Sequence, residues 1–354
     1  MIGYYIHHVG RGHLSRASAI AAELEPHEPV TALSSLPRPE DWSGEWVTLP
    51  RDDDDLPFGD EGADAGGRLH WTPVQAPGLR TRMAMVSEWI AAARPSVIVS
   101  DVSVEIALLA RLHGVPVVSV ALPGRRDDEA HRLGFAVSST IVSAWPPDAH
   151  GMLSGLDVDA AAKHVAVGAI SRFRHQPSAL PRDRPAGPPR VLLLNGRAGG
   201  IDPAVLTRAR EQTPGWEWRM AGGDAGPWLE DPWPLIRAAD VVLTHAGQNA
   251  IAEVAAARKP AVVIAEPRPH EEQLHTAAVL TDVRWPALVI QDPLDTDWAS
   301  TLTTALGYDG GSWAGWNDGS GAARAAAAIR ATARSATAPA ATATDGVVST
   351  GAHR

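Results

Sequence analysis

The chain has 354 residues, 45% of them apolar, with a formal charge of −10 and no cysteine. This length suits two packed domains; the acidic balance argues against broad nucleic-acid binding, and the lack of cysteine excludes disulfides and thiolate-held metals. No apolar run approaches the roughly 20 residues that cross a bilayer, and the start of the chain lacks the basic region of a signal peptide. A cytoplasmic protein with at most weak membrane association is therefore expected.

In chain order, residues 2–9 read as a strand, followed by GRGHLSR and a helical spacing of Leu14, Ala17, Ala21 and Leu24. The glycines permit a tight turn and close ligand approach at Gly12. His13 then stands at the start of a helix, at the carboxyl edge of a strand, where open α/β sheets bind ligands. It is either a general base or a residue that only shapes the turn. Residues 30–33 and 46–49 are short strands. The acidic stretch 51–67 reads as a solvated, mobile loop: it lacks the spaced ligands of a calcium loop, so no metal is assigned there or elsewhere. A helix over 78–93 leads to the strand PSVIVSD, which closes on Asp101. Asp101 either caps the next helix or orients His13 and stabilises its protonated form. A helix over 104–113 and a strand over 115–121 follow. The alternation predicts βαβ units and parallel sheets.

Residues 174–190, rich in Pro and Arg, read as a linker between a first domain at 1–173 and a second at 191–334. The second begins with a strand at 191–194 and the turn NGRAGG, where Arg197 could approach a diphosphate, although a plain turn fits equally. The most informative stretch is THAGQNAIAE, residues 244–253, between a buried strand and a helix. A strand, a short Gly turn and a helix N-terminus present free N–H groups and the positive end of the helix dipole to an anion. His245, Ala246, Gly247, Gln248, Asn249 and Ala250 would form this cradle, and Glu253 would accept hydrogen bonds from sugar hydroxyls. After the next strand, EPRPHEEQ supplies His270, Glu272 and Gln273 as donors and acceptors for a sugar. A last helix is expected over 322–334 and disorder from 335 to 354.

GRGHLSR and the block from THAGQNAIAE through EPRPHEEQ together resemble the two-domain nucleotide-sugar glycosyltransferases of GT-B type. The nearest types are the bacterial lipid-linked N-acetylglucosaminyltransferase of peptidoglycan synthesis and the enzymes that glycosylate small natural products. The resemblance implies an α/β fold of two Rossmann-like domains facing across a cleft. It implies that His13 deprotonates the acceptor with support from Asp101. It further implies that His245, Gly247 and Asn249 hold the diphosphate, Glu253 the ribose, and Glu272 with Gln273 the donor sugar. The expected reaction is inverting and metal-independent, from a nucleotide diphosphate sugar, with uridine favoured, to a hydroxyl of a small-molecule or lipid-linked acceptor. No cofactor is expected beyond that co-substrate. A nucleotide-sugar 2-epimerase and a non-catalytic nucleotide-sugar-binding protein are the alternatives.

Overall fold

The computed structural model describes residues 1–173, 187–196, 200–223 and 226–337. The first half runs β1 (Ile2–Ile6), α1 (Arg11–Leu24), β2 (Val30–Ser34), β3 (Glu45–Thr48), α2 (Pro77–Ala93), β4 (Val97–Asp101), α3 (Val104–Leu112) and β5 (Val117–Ala121). It continues through β6 (Gly124–Arg125), α4 (Glu129–Val137), β7 (Thr140–Ser143), β8 (Leu153–Ser154), α5 (Val158–Lys163) and β9 (His164–Ala166). The second half starts with β10 (Arg190–Leu194), α6 (Pro203–Gln212), β11 (Glu217–Ala221), α7 (Trp233–Ala238) and β12 (Val241–His245). It ends with α8 (Gln248–Ala256), β13 (Ala261–Ile264), α9 (Glu272–Leu280), β14 (Ala287–Ile290), α10 (Trp298–Leu306) and α11 (Gly321–Thr337).

The strands form two main parallel sheets, in the orders β3-β2-β1-β4-β5-β7-β9 and β11-β10-β12-β13-β14, with β6 and β8 as a small separate ladder. Central strands such as IGYYI and VIVSD are buried along their whole length. Helices therefore cover both faces, which is why these strands read as continuous apolar runs rather than alternating ones. In the first sheet the strand order reverses between β1 and β4; in the second it reverses between β10 and β12. Such switch points open a crevice beyond the carboxyl ends of the strands. His13 and Asp101 flank the first crevice, and the turn after His245 flanks the second.

The first strand ends at Ile6, three residues short of its expected end, and α1 already begins at Arg11. The last helix corrects the simple division of the chain at the linker. Its stripe of Ala322, Ala325, Ala326, Ile329 and Ala333 is buried with Ile2, Ala17, Ile20, Ala21 and Leu24 of the first half. The spacing of three to four residues makes one apolar face, and alanine on both helices lets α1 and α11 approach closely. By packing, α11 belongs to the first sheet. Residues 174–186 of the expected linker, and the expected tail from 338 onward, lie outside the described residues.

The acidic loop also differs from expectation at its start. Asp52 is buried, and Arg82, from inside α2, donates to its Oδ2 at 2.5 Å and to the carbonyl of Pro50 at 2.7 Å. A carboxylate is kept from water this way only because a guanidinium accompanies it.

Candidate active site

The first crevice holds a charged cluster. His13 Nδ1 lies 3.1 Å from Asp101 Oδ1. Arg16, one turn further along α1, donates to the same oxygen at 2.6 Å and sits 3.0 Å from His13 Nδ1. Asp101 is fully buried. Burial alone would raise its carboxyl pKa, but Arg16 and then His13 outweigh that and hold it at about 2. Asp101 therefore stays ionised, and when it accepts an Nδ1–H the Nε2 lone pair of His13 is left for a proton. The helix that follows is capped by Ser103, whose Oγ accepts the Ile106 N–H, so Asp101 is spared the capping role that sequence left open.

The second crevice is built from backbone. β12 ends at His245, and α8 begins after Gly247 with no side-chain cap. The N–H groups of its first turn, at Gln248, Asn249 and Ala250, lack intrahelical acceptors and carry the positive end of the dipole. The Asn249 side chain does not cap the helix. The Gly247 N–H donates to His245 Nδ1 at 3.0 Å. That fixes the His245 proton on Nε2, and burial lowers its pKa further, keeping it neutral. A side chain on Gly247 would collide with the His245 ring, so glycine is needed here by the imidazole itself as well as by any approaching anion.

The two crevices meet. Arg16 Nη1 donates to Gln248 Oε1 at 3.2 Å, and Gln248 Nε2 donates to the Ala144 carbonyl at 3.2 Å. A side chain on Gly12 would strike the Asn249 amide. The start of α1, which carries His13, and the first turn of α8 therefore face each other in contact.

The remaining expected site residues divide. Glu253 accepts from Arg172 Nε at 2.9 Å; burial raises its pKa, with Arg172 opposing. Glu272 accepts from Arg126 Nη2 at 2.7 Å. Gln273 is buried, and its Oε1 accepts the backbone N–H groups of Ala246, at 3.1 Å, and Glu266, at 2.9 Å. Gln273 thus holds the cradle turn in shape through its Oε1. His270 adopts a left-handed conformation, with φ 57, and packs edge-on against His131 at 4.7 Å. Ala246 is buried behind the turn. Arg197 lies outside the described residues.

His270 and Glu272 also line a cavity of about 200 Å³ with Tyr5, His7, Trp71, His131 and Phe135. Most of its wall comes from the first half, and the His7 ring in it lies 5.5 Å from that of His13. Three arginines went unassigned from sequence: Arg16, Arg126 and Arg172. Arg16 had a readable signal, because it lies three residues after His13 on the same helical face. The other two act across the cleft from loops, and no local pattern marks them.

Residues 227–298 match the glycosyltransferase family 28 C-terminal domain. No curated protein sequence matches the chain. Among solved structures, the calicheamicin glycosyltransferase CalG4 is similar with 16% identity and a TM-score of 0.64, covering 96% of this chain and 99% of its own. MurG of Acinetobacter baumannii has 14% identity and a TM-score of 0.60, with coverage of 93% and 99%. The spinosyn rhamnosyltransferase SpnG, complexed with thymidine diphosphate, has 15% identity and a TM-score of 0.55, with coverage of 94% and 98%. The chain has the GT-B glycosyltransferase fold, as the sequence motifs implied, and the matched C-terminal module contains the whole 244–253 cradle.

Proposed function

We propose that this chain, with the GT-B glycosyltransferase fold as the premise, moves a sugar from a pyrimidine nucleoside diphosphate to an acceptor hydroxyl with inversion and without a metal at the diphosphate. The observation that carries the reading is the contact between the first turns of α1 and α8. It sets a carboxylate-supported imidazole against an uncapped helix N-terminus.

In this reading the acceptor lies in the cavity lined by His7, Trp71 and Phe135. Its hydroxyl gives a proton to His13 Nε2, and its oxygen attacks the anomeric carbon from the face opposite the diphosphate. The bond from that carbon to the phosphate oxygen breaks. The departing charge is met by the α8 N–H groups and the His245 Nε2–H, which supply the electrostatic stabilisation a cation supplies elsewhere. Glu253 takes the ribose once Arg172 gives way, and His270 with Glu272 faces the transferred sugar. Uridine is favoured by the motif resemblance, and thymidine is the natural competitor because SpnG is seen with its diphosphate. The acceptor is a small molecule or a lipid-linked one.

Among the described residues no helix is long and apolar enough to cross a membrane, and we place the reaction in the cytoplasm. A thermal-shift panel of uridine and thymidine diphosphates and their sugars tests the donor: a true donor stabilises the fold. The anomeric configuration of the product, read by NMR, tests inversion. Free nucleoside diphosphate released only when acceptor is present separates transfer from epimerisation. A chain that bound no nucleotide diphosphate would end the proposal.

A further inference from the structure

In sequence, the aspartates of the acidic loop lack spaced partner ligands. The structure brings the missing ligand from elsewhere. His8, just past β1, reaches the start of the loop that follows β3. Its Nε2 lies 3.7 Å from Asp52 Oδ1 and 3.4 Å from Asp53 Oδ1. Both distances are too long for hydrogen bonds. His8 and Asp52 are more than nine-tenths buried, at 9% and 8% exposure. Both nitrogens of His8 and the Oδ1 atoms of Asp52 and Asp53 are buried without any hydrogen-bond partner. Buried polar atoms are normally satisfied, and a group left open asks for an ion or water.

The other carboxylate oxygens explain the aim. Arg82 holds Asp52 Oδ2 at 2.5 Å, and Arg51 holds Asp53 Oδ2. Each arginine fixes one oxygen and leaves the second turned toward the imidazole. Donor atoms about 2.1 Å from a central ion in tetrahedral geometry stand about 3.4 Å apart, close to the two separations seen. One imidazole and two carboxylates suit a borderline divalent cation better than calcium or magnesium, which take oxygen ligands alone.

A second cluster, His70, Asp128 and His131, also gathers ligand atoms within 4.8 Å. There, however, His131 Nδ1 is already 2.6 Å from Asp128, and Arg126 stands 3.1 Å from His131 Nε2. Both nitrogens of His131 are engaged, unlike those of His8, so it serves as the internal contrast.

We propose that His8, Asp52 and Asp53 bind one divalent cation of the zinc–manganese class, which pins the loop after β3 to the end of β1. The site stands apart from the bond-making groups but borders the acceptor side: Asp52 lines the same cavity as His7, and the His7 and His8 rings stack at 5.1 Å. Equilibrium dialysis of the full chain against Zn²⁺, with metal counted by mass spectrometry, tests it. The optical spectrum of the Co²⁺ form reports the ligand geometry.

We expect one zinc per chain in the wild type and in His131→Ala, and at least tenfold weaker retention in Asp53→Asn, with its cobalt ligand-field bands lost. Asp53 is partly exposed, so this variant should fold; His8→Ala, checked by circular dichroism, is the second. Zinc should raise the melting temperature of the wild type and leave Asp53→Asn unmoved. No retained metal, equal retention by folded Asp53→Asn and His8→Ala, or loss on His131→Ala instead would each overturn the proposal.

Discussion

The two crevices do complementary work with different materials. The first relies on side chains packed largely out of water: the His13 imidazole and the Arg16 guanidinium share one oxygen of the Asp101 carboxylate. The second relies on backbone N–H groups at the start of α8, and its side chains mostly shape the turn: His245 receives the Gly247 N–H and Gln273 receives that of Ala246. A site made of side chains fails when a side chain is removed. A site made of backbone fails when a side chain is added.

The largest effect should come from the first crevice. His13→Ala should lower turnover by about 10² to 10⁴, the usual contribution of a positioned general base, while nucleotide affinity measured by calorimetry stays within about twofold. If turnover were unchanged, the base would lie elsewhere. The next effect is on stability. Arg16→Ala leaves Asp101 buried beside a single imidazole, and breaking a buried ion pair typically costs about 3 to 5 kcal/mol. Urea denaturation should show a loss of that order, with activity falling alongside. By contrast, Gln248→Ala should change stability by about 1 kcal/mol or less, because it removes hydrogen bonds and no charge.

The second crevice is broken by addition. Gly247→Ala places a methyl group against the His245 ring. Nucleotide diphosphate affinity should fall about tenfold, near 1.4 kcal/mol, with the turnover of saturated enzyme less affected. Affinity unchanged in this variant would mean that His245 need not fold back over the turn. A smaller effect follows from Arg172, which holds Glu253. Removing the arginine should free the carboxylate and tighten nucleotide binding a few-fold, whereas Glu253→Gln should weaken it. A weakening in both would assign Arg172 to the ligand instead.

The same contrast explains what could be read in advance. The β/α alternation, the position of His13 and the cradle at 244–253 were legible because each depends on neighbours in sequence: apolar runs, a glycine turn, a helix start. The role of Gln273 was not, since its buried amide serves N–H groups 27 and 7 residues away. Neither was the return of α11. Its alanine stripe announces an apolar face but does not say which sheet it covers. The burial of Asp52 was hidden for a similar reason, since in a run of four aspartates only the fold singles out the one that meets Arg82.

Acid stability isolates the carboxylate itself. The Asp101 pKa falls from 3.8 to about 2 on folding, because Arg16 and His13 outweigh burial. A folded pKa below the unfolded one contributes stability above the unfolded value, and that stability is lost as pH drops through the folded value. The window is therefore from about pH 4 down to about pH 2. Urea midpoints of the wild type should decline across it more steeply than those of Asp101→Asn, whose side chain cannot titrate. The variant should begin less stable at pH 7, because the amide is a poorer partner for the Arg16 guanidinium, and the two curves should converge toward pH 2. Curves that fell in parallel would mean that Asp101 is not held ionised by its neighbours. The support it gives to His13 would then need another source.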